Sequence, residues 1–296
     1  MVIKVLHVGL GPVGTAVARQ VAARKGMQIV GAIDIDPAKV GRDLGPVCGM
    51  RRKLGVMVTD DVIRAVKSAR PDIAVICTES SLRRVLPQFE QVLKLKVPII
   101  STAEELAYPV QANRAIAKKI DALARRSRVA VLGTGVNPGF AMDALPIALT
   151  SVCEHVESIA ITRVQTADRP GHHVGLAESI TMIADAMGWR LDKVTDDVRA
   201  RFGEDGVECG TVQDGVGFVK NKPRITLHME MVPDATESYD EIRITGTPSL
   251  TSRISTGLHG DAAAASITVN AIPKVLVAQP GLRTMKDMGL PGYFGG

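Results

Sequence analysis

The chain of 296 residues is 46% hydrophobic and 23% charged, which excludes a disordered chain and allows one large domain or two unequal ones. Aromatic residues make up only 3%, so the core has to be built from Val, Ile, Leu, Ala and Met. The net charge of +5 is modest, and its densest clusters, Arg51-Arg52-Lys53 and Arg125-Arg126, lack the interleaved aromatics of a single-strand platform, so no nucleic-acid partner is expected.

Val2 to Val8 reads as a short apolar strand that runs straight into Gly9-Leu10-Gly11-Pro12-Val13-Gly14, and a helix is predicted over 12–25. Strand, glycine turn and helix in that order form the dinucleotide fingerprint. Gly9 makes the tight turn, Gly11 leaves room for a pyrophosphate, and Gly14 lets the helix pack closely on the strand. Pro12 and Val13 open the helix whose N–H groups and dipole would face the phosphates. The second strand, 28–33, ends in Asp34, where a carboxylate accepts ribose hydroxyls and repels a 2′-phosphate. Lys39 and Arg42 follow within reach of such a phosphate if the loop folds back, so NAD and NADP both stay open.

Strands at 72–77, 97–101 and 129–132 then alternate with helical patterns at 60–69, 82–95 and 110–127. This is the pattern of an α/β, Rossmann-type domain with a parallel sheet. Ligands of such sheets lie beyond the carboxyl ends of the strands. Thr78, Glu79 and Ser80 are therefore expected beside the cofactor, with Ser81 as the cap of the next helix. After the strand 97–101 come Thr102, a further cofactor neighbour, and the adjacent pair Glu104-Glu105. One of the two carboxylates is expected to reach the reacting ring. Glu104, nearer the strand end, is preferred, with Glu105 as the fallback; first-turn acids of a helix are the alternative reading. Gly133-Thr134-Gly135-Val136-Asn137-Pro138-Gly139-Phe140 makes a tight turn from which Thr134 and Asn137 can bond carboxamide, ribose or substrate, unless Asn137 caps only its own backbone. A helix over 142–149 follows.

From Val156 the pattern changes to long strands at 156–165, 211–219, 224–232 and 239–246. A core-facing helix is predicted at 176–187 and a more polar one at 192–202. A mixed sheet with a few helices on one face accommodates these elements. Arg163 and Gln165, two apart on one strand, share a face that would floor a pocket. Leu258-His259-Gly260-Asp261 leads into an Ala-rich helix, 262–277, expected to return across the cleft to the first domain, and the tail from Pro280 reads as loop. The division is a dinucleotide-binding domain at 1–134, a substrate-binding and dimerisation domain at 135–260, and a C-terminal return helix and tail at 261–296.

His7 is read as a packing residue, while His173 and His259 sit in loops and are candidates for touching substrate or cofactor. No metal site is expected, because His172-His173 lacks ligand partners at suitable spacing and Cys48, Cys77, Cys153 and Cys209 lie far apart. With no signal-like segment and no apolar run of membrane length, free thiols in a cytoplasmic protein with no membrane partner are expected.

The segments GLGPVG (9–14), GAIDIDPAKVGRDLG (31–45), STAEELAYP (101–109), GTGVNPGFAMDALP (133–146), HVGLAES (173–179) and LHGDAAAASITVNAIP (258–273) together resemble the 2,4-diaminopentanoate dehydrogenase family, which includes the native amine dehydrogenases. Dihydrodipicolinate reductase-like enzymes are the wider relatives. The resemblance implies NAD(P)-dependent interconversion of an amine with a ketone and ammonia, in a homodimer. It makes Glu104 the catalytic residue and lines the pocket with Asn137, Met142, Asp143, Arg163, Gln165 and His259. Asp143 would add a charge suited to a second amino group on the substrate. After Arg169 only Pro170-Gly171-His172 precede His173, where the family usually has a longer segment that contributes to the substrate pocket. Competing readings are a dihydrodipicolinate reductase-like imine reductase, which would need a basic cluster absent here, and a cofactor-binding regulator without turnover.

Overall fold

A computed structural model describes residues 2–110, 112–166, 175–203 and 205–295. The chain divides into two compact units, Met1–Gly135 with Gly260–Gly296, and Val136–His259. Along the chain the first unit contains β1 (Ile3–Val8), α1 (Pro12–Ala23), β2 (Met27–Ile33), α2 (Leu44–Val47), β3 (Val58–Thr59), α3 (Val62–Ala69), β4 (Ile73–Ile76), α4 (Leu82–Lys94), β5 (Ile99–Ser101), α5 (Arg114–Ser127) and β6 (Ala130–Gly133). The second contains α6 (Ala144–Leu149), β7 (His155–Thr166), α7 (Leu176–Ala186), β8 (Lys193–Phe202), β9 (Glu208–Val219), β10 (Lys222–Val232), β11 (Tyr239–Thr247) and β12 (Leu250–Ile254). The chain then rejoins the first unit with α8 (Gly260–Leu276) and β13 (Gly281–Arg283).

The first unit is built on a parallel sheet in the order β13-β6-β5-β4-β1-β2-β3. Ile73-Ala74-Val75-Ile76 is apolar at every position because a parallel sheet covered by helices has no wet face. Strand order reverses between β1 and β4, and the carboxyl ends there form the crevice in which α/β sheets hold ligands. In α1, Gly14, Val17, Ala18 and Val21 repeat at helical spacing and are buried. Helix α8 packs beside α1, where Gln20 Nε2 donates to Ala262 O at 3.3 Å and Ser266 Oγ at 2.9 Å.

The tail from Pro280 is not all loop. Gly281–Arg283 adds the edge strand β13, parallel to β6, and the Leu282 amide donates to Asp121 Oδ1 on α5 at 2.9 Å. Three residues among glycines and prolines carry no period, so only the partner strand and Asp121 define them. The two-residue strand β3 was missed for the same reason.

The second unit is a mixed sheet in the order β12-β11-β7-β10-β9-β8, in which β10 runs parallel to β7 and the other pairs are antiparallel. Ile159, Ile161, Leu227, Met229, Ile242 and Ile244 fill one face. Helix α7 lies on that face, and its Ile180 fits over Gly215 and Gly217, where a Cβ would come within 2.9 and 2.6 Å of it. The predicted helix at 192–202 is wrong: Lys193–Phe202 is an edge strand paired antiparallel with β9. Its residues from Asp197 onward are exposed, so no apolar face marks the two-residue period. The charges at 196, 197, 199 and 201 then read as a solvated helix face. Among the described residues no helix is long and apolar enough to cross a membrane.

Candidate functional site

The glycine turn is shaped by contacts on three sides. Gly9 has φ +92°, and a Cβ on it would lie 2.6 Å from Cys77 O and 2.8 Å from Thr78 Cγ2. A Cβ on Gly14 would overlap Gly9 O, which fixes α1 against the turn. Gly11 differs: it is the N-cap of α1, has no side-chain cap, and a Cβ on it would meet nothing within 4 Å. Two glycines are therefore required by the protein itself, whereas the open space over Gly11 fits a pyrophosphate above a helix N-terminus.

Beneath the turn, His7 is fully buried, and its Nε2 donates to Gly9 O at 2.9 Å. Burial lowers its pKa to about 4, so the ring is neutral and serves as a strut. At the end of β2, Asp34 Oδ2 accepts the Leu10 amide at 2.7 Å and Oδ1 accepts the Asp36 amide at 2.9 Å. The carboxylate thus ties the second strand to the glycine turn. The loop folds back: Lys39 Nζ stands 3.4 Å from Asp34 and 3.3 Å from Asp36, and these two carboxylates raise its pKa against the opposing effect of burial. Arg42, exposed, donates to Ala38 O at 3.1 Å.

The other strand ends form a row. Thr78 follows β4 beside Gly9 and donates from Oγ1 to Gln88 Oε1 at 2.8 Å. Thr102 follows β5 and donates its amide to Ile76 O at 3.2 Å. Glu79 pairs loosely with Arg84 at 3.7 Å, and Ser80 O accepts the Glu105 amide at 3.2 Å. Burial pushes the Cys77 thiol up to about 12, so it is an inert packing group.

Glu104 and Glu105 lie on one 3-10 turn directly after β5, and they part there. Glu105 Oε2 accepts the Leu82 amide at 2.7 Å and the Ser81 hydroxyl at 3.3 Å. Glu105 therefore caps α4, a job expected of Ser81, whose own side chain makes no cap bond. Glu104 is half-buried at the strand end. Thr134 is turned inward: it is 2% exposed, and its hydroxyl donates to Met285 Sδ at 3.2 Å, so only its backbone faces the row.

In the second unit the turn at 137–143 is organised by Asp143. This carboxylate is fully buried and accepts from the Gly139 amide (2.7 Å), the Ala144 amide (2.6 Å) and the Ser179 hydroxyl (2.9 Å). Burial raises its pKa against those three hydrogen bonds. Asp143 is thus a helix cap and turn anchor, not a charge offered to a second amino group, and Met142, with no exposed surface, is core. Asn137 Nδ2 makes a weak contact to Met229 Sδ at 3.4 Å, while its Oδ1 is buried without a partner. A buried, unsatisfied acceptor is unusual and suits an N–H donor supplied by a ligand.

Arg163 and Gln165 share a face, but Arg163 is not a free pocket cation. Its Nη1 lies 2.5 Å from Asp240 Oδ1 and its Nη2 donates to Leu258 O at 2.6 Å. Gln165 is buried and donates to Val164 O at 2.8 Å. His259 is exposed at the end of the loop these residues support. His173 lies outside the described residues, as does all of the short 168–173 segment. Asp240 and Ser179 were missed. Asp240 had a signal: it alternates with Ile242 and Ile244, and a charge in a core-facing register demands a buried partner. Among the described residues no cluster of His, Cys, Asp or Glu could hold a metal.

A parallel sheet with this glycine cradle at its switch point, joined to a mixed-sheet unit, defines a dinucleotide-dependent oxidoreductase of Rossmann type. The model for the 2,4-diaminopentanoate dehydrogenase C-terminal domain matches residues 167–295, and one for a CoA binding domain matches 2–101. A 2,4-diaminopentanoate dehydrogenase of Acetoanaerobium sticklandii is 32% identical, over 98% of this chain and 94% of that protein. An amine dehydrogenase of Streptomyces virginiae is 27% identical over 95% of both. The structure of an amine dehydrogenase from Mycobacterium smegmatis superposes with a TM-score of 0.85 at 22% identity, covering 99% of this chain and 97% of that one. The chain belongs to the 2,4-diaminopentanoate dehydrogenase family. Its alignment with the Acetoanaerobium protein spans 339 positions against 296 residues here, so that relative carries residues this chain lacks.

Proposed function

We propose that the protein is an NAD(P)-dependent amine dehydrogenase with Glu104 as its catalytic residue. The observation that carries this reading is the division of labour after β5. Glu105 caps α4, and Glu104, half-buried, stands on the 3-10 turn directly after β5, at the carboxyl edge of the same sheet that carries the glycine cradle after β1. NAD(P), when bound, supplies the hydride acceptor for oxidation and the hydride donor for reductive amination.

In the oxidative direction Glu104 takes a proton from the substrate ammonium, because an ammonium has no lone pair with which to expel hydride. A bound water carries that proton to solvent, and the restored negative charge of Glu104 then stabilises the iminium product of hydride loss. With a bound water it next serves as general base, taking a proton as water adds to the iminium carbon. Glu104 returns that proton to nitrogen and takes the carbinolamine hydroxyl proton as ammonia leaves and the ketone forms, and reductive amination runs these steps backwards. Asn137 Oδ1, buried without a partner, is suited to accept an N–H of a ligand. The cofactor is NAD or NADP, with Asp34 opposed to a 2′-phosphate and Lys39 tempering that repulsion. The same reading includes a cytoplasmic homodimer through the six-stranded sheet, measurable as a mass by light scattering.

The deciding assay is NAD(P)H oxidation with a panel of small ketones, with and without ammonium. Ammonium-dependent turnover is expected. Turnover of a preformed cyclic imine without ammonium would move the protein to the imine reductases. Tight cofactor binding without any turnover would make it a regulator.

A further inference from the structure

Arg163 on β7 and Asp240 on β11 are paired by the register of the two strands, and both are buried, at 5% and 4% exposure. Their contact extends to a third residue. Asp240 Oδ2 accepts the Leu258 amide at 2.7 Å, and Arg163 Nη2 donates to the Leu258 carbonyl at 2.6 Å. The two opposite charges thus grip both backbone groups of one residue. Next to it, Gly257 has φ +64°, and a Cβ there would overlap Gln165 Nε2, so the loop is seated closely on the same strand face. Desolvating an ion pair is costly, and an apolar pair of similar size usually serves stability as well or better. The neighbouring Ile161–Ile242 pair already does so between the same strands. An apolar pair could not hold a peptide group.

We propose that Asp240 is a positioning residue: it holds the Gly257–Leu258 peptide while Arg163 holds the Leu258–His259 peptide, and by fixing both sides of Leu258 the pair presents the His259 imidazole to the substrate in one orientation. Arg163 then acts as a loop anchor. The inference rests on the amine dehydrogenase reading for its substrate, though not for its structural content.

The test uses Asp240→Asn and the paired replacement Arg163→Met/Asp240→Leu, which strands no buried charge. Both are expected to raise the amine KM at least tenfold with kcat within threefold and NADH affinity unchanged. The paired variant should also keep a native Tm. His259→Gln should raise KM similarly, and adding Asp240→Asn to it should change KM less than twofold. Independently of turnover, the His259 ring signals in NMR, identified by their loss in His259→Gln, should form one set in the native protein. They should split or broaden in the paired variant while the other histidines stay unchanged. Full additivity with His259→Gln, an unchanged KM, or unchanged His259 signals in the paired variant would overturn the proposal. If the native protein shows no ammonium-dependent turnover, the function reading fails and the NMR comparison alone decides this one.

Discussion

The carboxylate of Glu105 accepts the backbone amide of Leu82 at 2.7 Å, so one member of an adjacent acidic pair belongs to the N-terminus of α4. The two glutamates should therefore separate by mutation. Glu104→Gln keeps shape and removes base and charge; turnover should fall by about 10²–10⁴-fold with cofactor binding intact. Glu105→Gln still offers an acceptor to Leu82 but loses its charge at the helix end, worth about 0.3–1 kcal/mol. Its turnover should stay within about threefold of native and its Tm fall by roughly 1–4 °C. Steady-state rates, thermal melts and NADH titration check this. The reverse ranking of the two variants would move the assignment by one residue.

Gly11 and Gly14 should fail differently. At Gly11 the backbone (φ −70°) suits alanine and the protein offers no clash, so Gly11→Ala should melt at or slightly above the native Tm. The added methyl occupies the space assigned to the pyrophosphate, and NADH affinity should fall at least tenfold. Gly14→Ala would drive a methyl into Gly9 O and should lose both stability and binding. Calorimetry with titration distinguishes them, and undiminished NADH affinity in Gly11→Ala would remove the phosphate cradle from the argument.

Asp34 ties the turn through the Leu10 and Asp36 amides, and the proposed function also gives it the ribose. Asp34→Ala should raise kcat/KM for NADP relative to NAD, because the repulsion of a 2′-phosphate is gone and Lys39 is released from it. It should also lower absolute efficiency with both cofactors, because the Leu10 and Asp36 amides lose their acceptor. Efficiencies measured with each nicotinamide test this, and a cofactor ratio that did not rise would sink the account of β2.

His7 gives a pH signature. Its pKa is about 4 in the fold against 6.5 when unfolded, so between these values the unfolded chain binds a proton that the native one refuses. Stability from this group is complete above pH 6.5, declines as pH falls toward 4, and is level below that. The full loss is roughly 3 kcal/mol at 1.36 kcal/mol per pK unit. Urea unfolding of His7→Gln should show a flatter dependence than the native protein across that window, though lower stability at pH 7 from the lost fit. Parallel curves for the two proteins would mean that His7 is not the titrating group.

The first unit was legible from local sequence because its signals are local. A short apolar run set between helical patterns reads as a covered parallel strand, and Gly9 and Gly14 mark positions where a side chain would clash. The edge elements were not. Strand β8 is exposed along most of its length and shows no burial period, and β13 exists because Asp121 and β6 hold it. At the site, sequence singled out Glu104, Asp34, Asn137, Asp143 and Arg163 as candidates but not their partners. Whether a carboxylate is offered to a ligand or closed by backbone amides depends on which groups lie within about 3 Å, a distance range set by hydrogen-bond geometry. Those groups come from residues such as Leu82, Ser179, Asp240 and Leu258, between 23 and 95 positions away along the chain. Local periodicity determined which segments are buried; only the folded chain decided which buried charges were already satisfied, because that depends on neighbours the sequence does not place side by side.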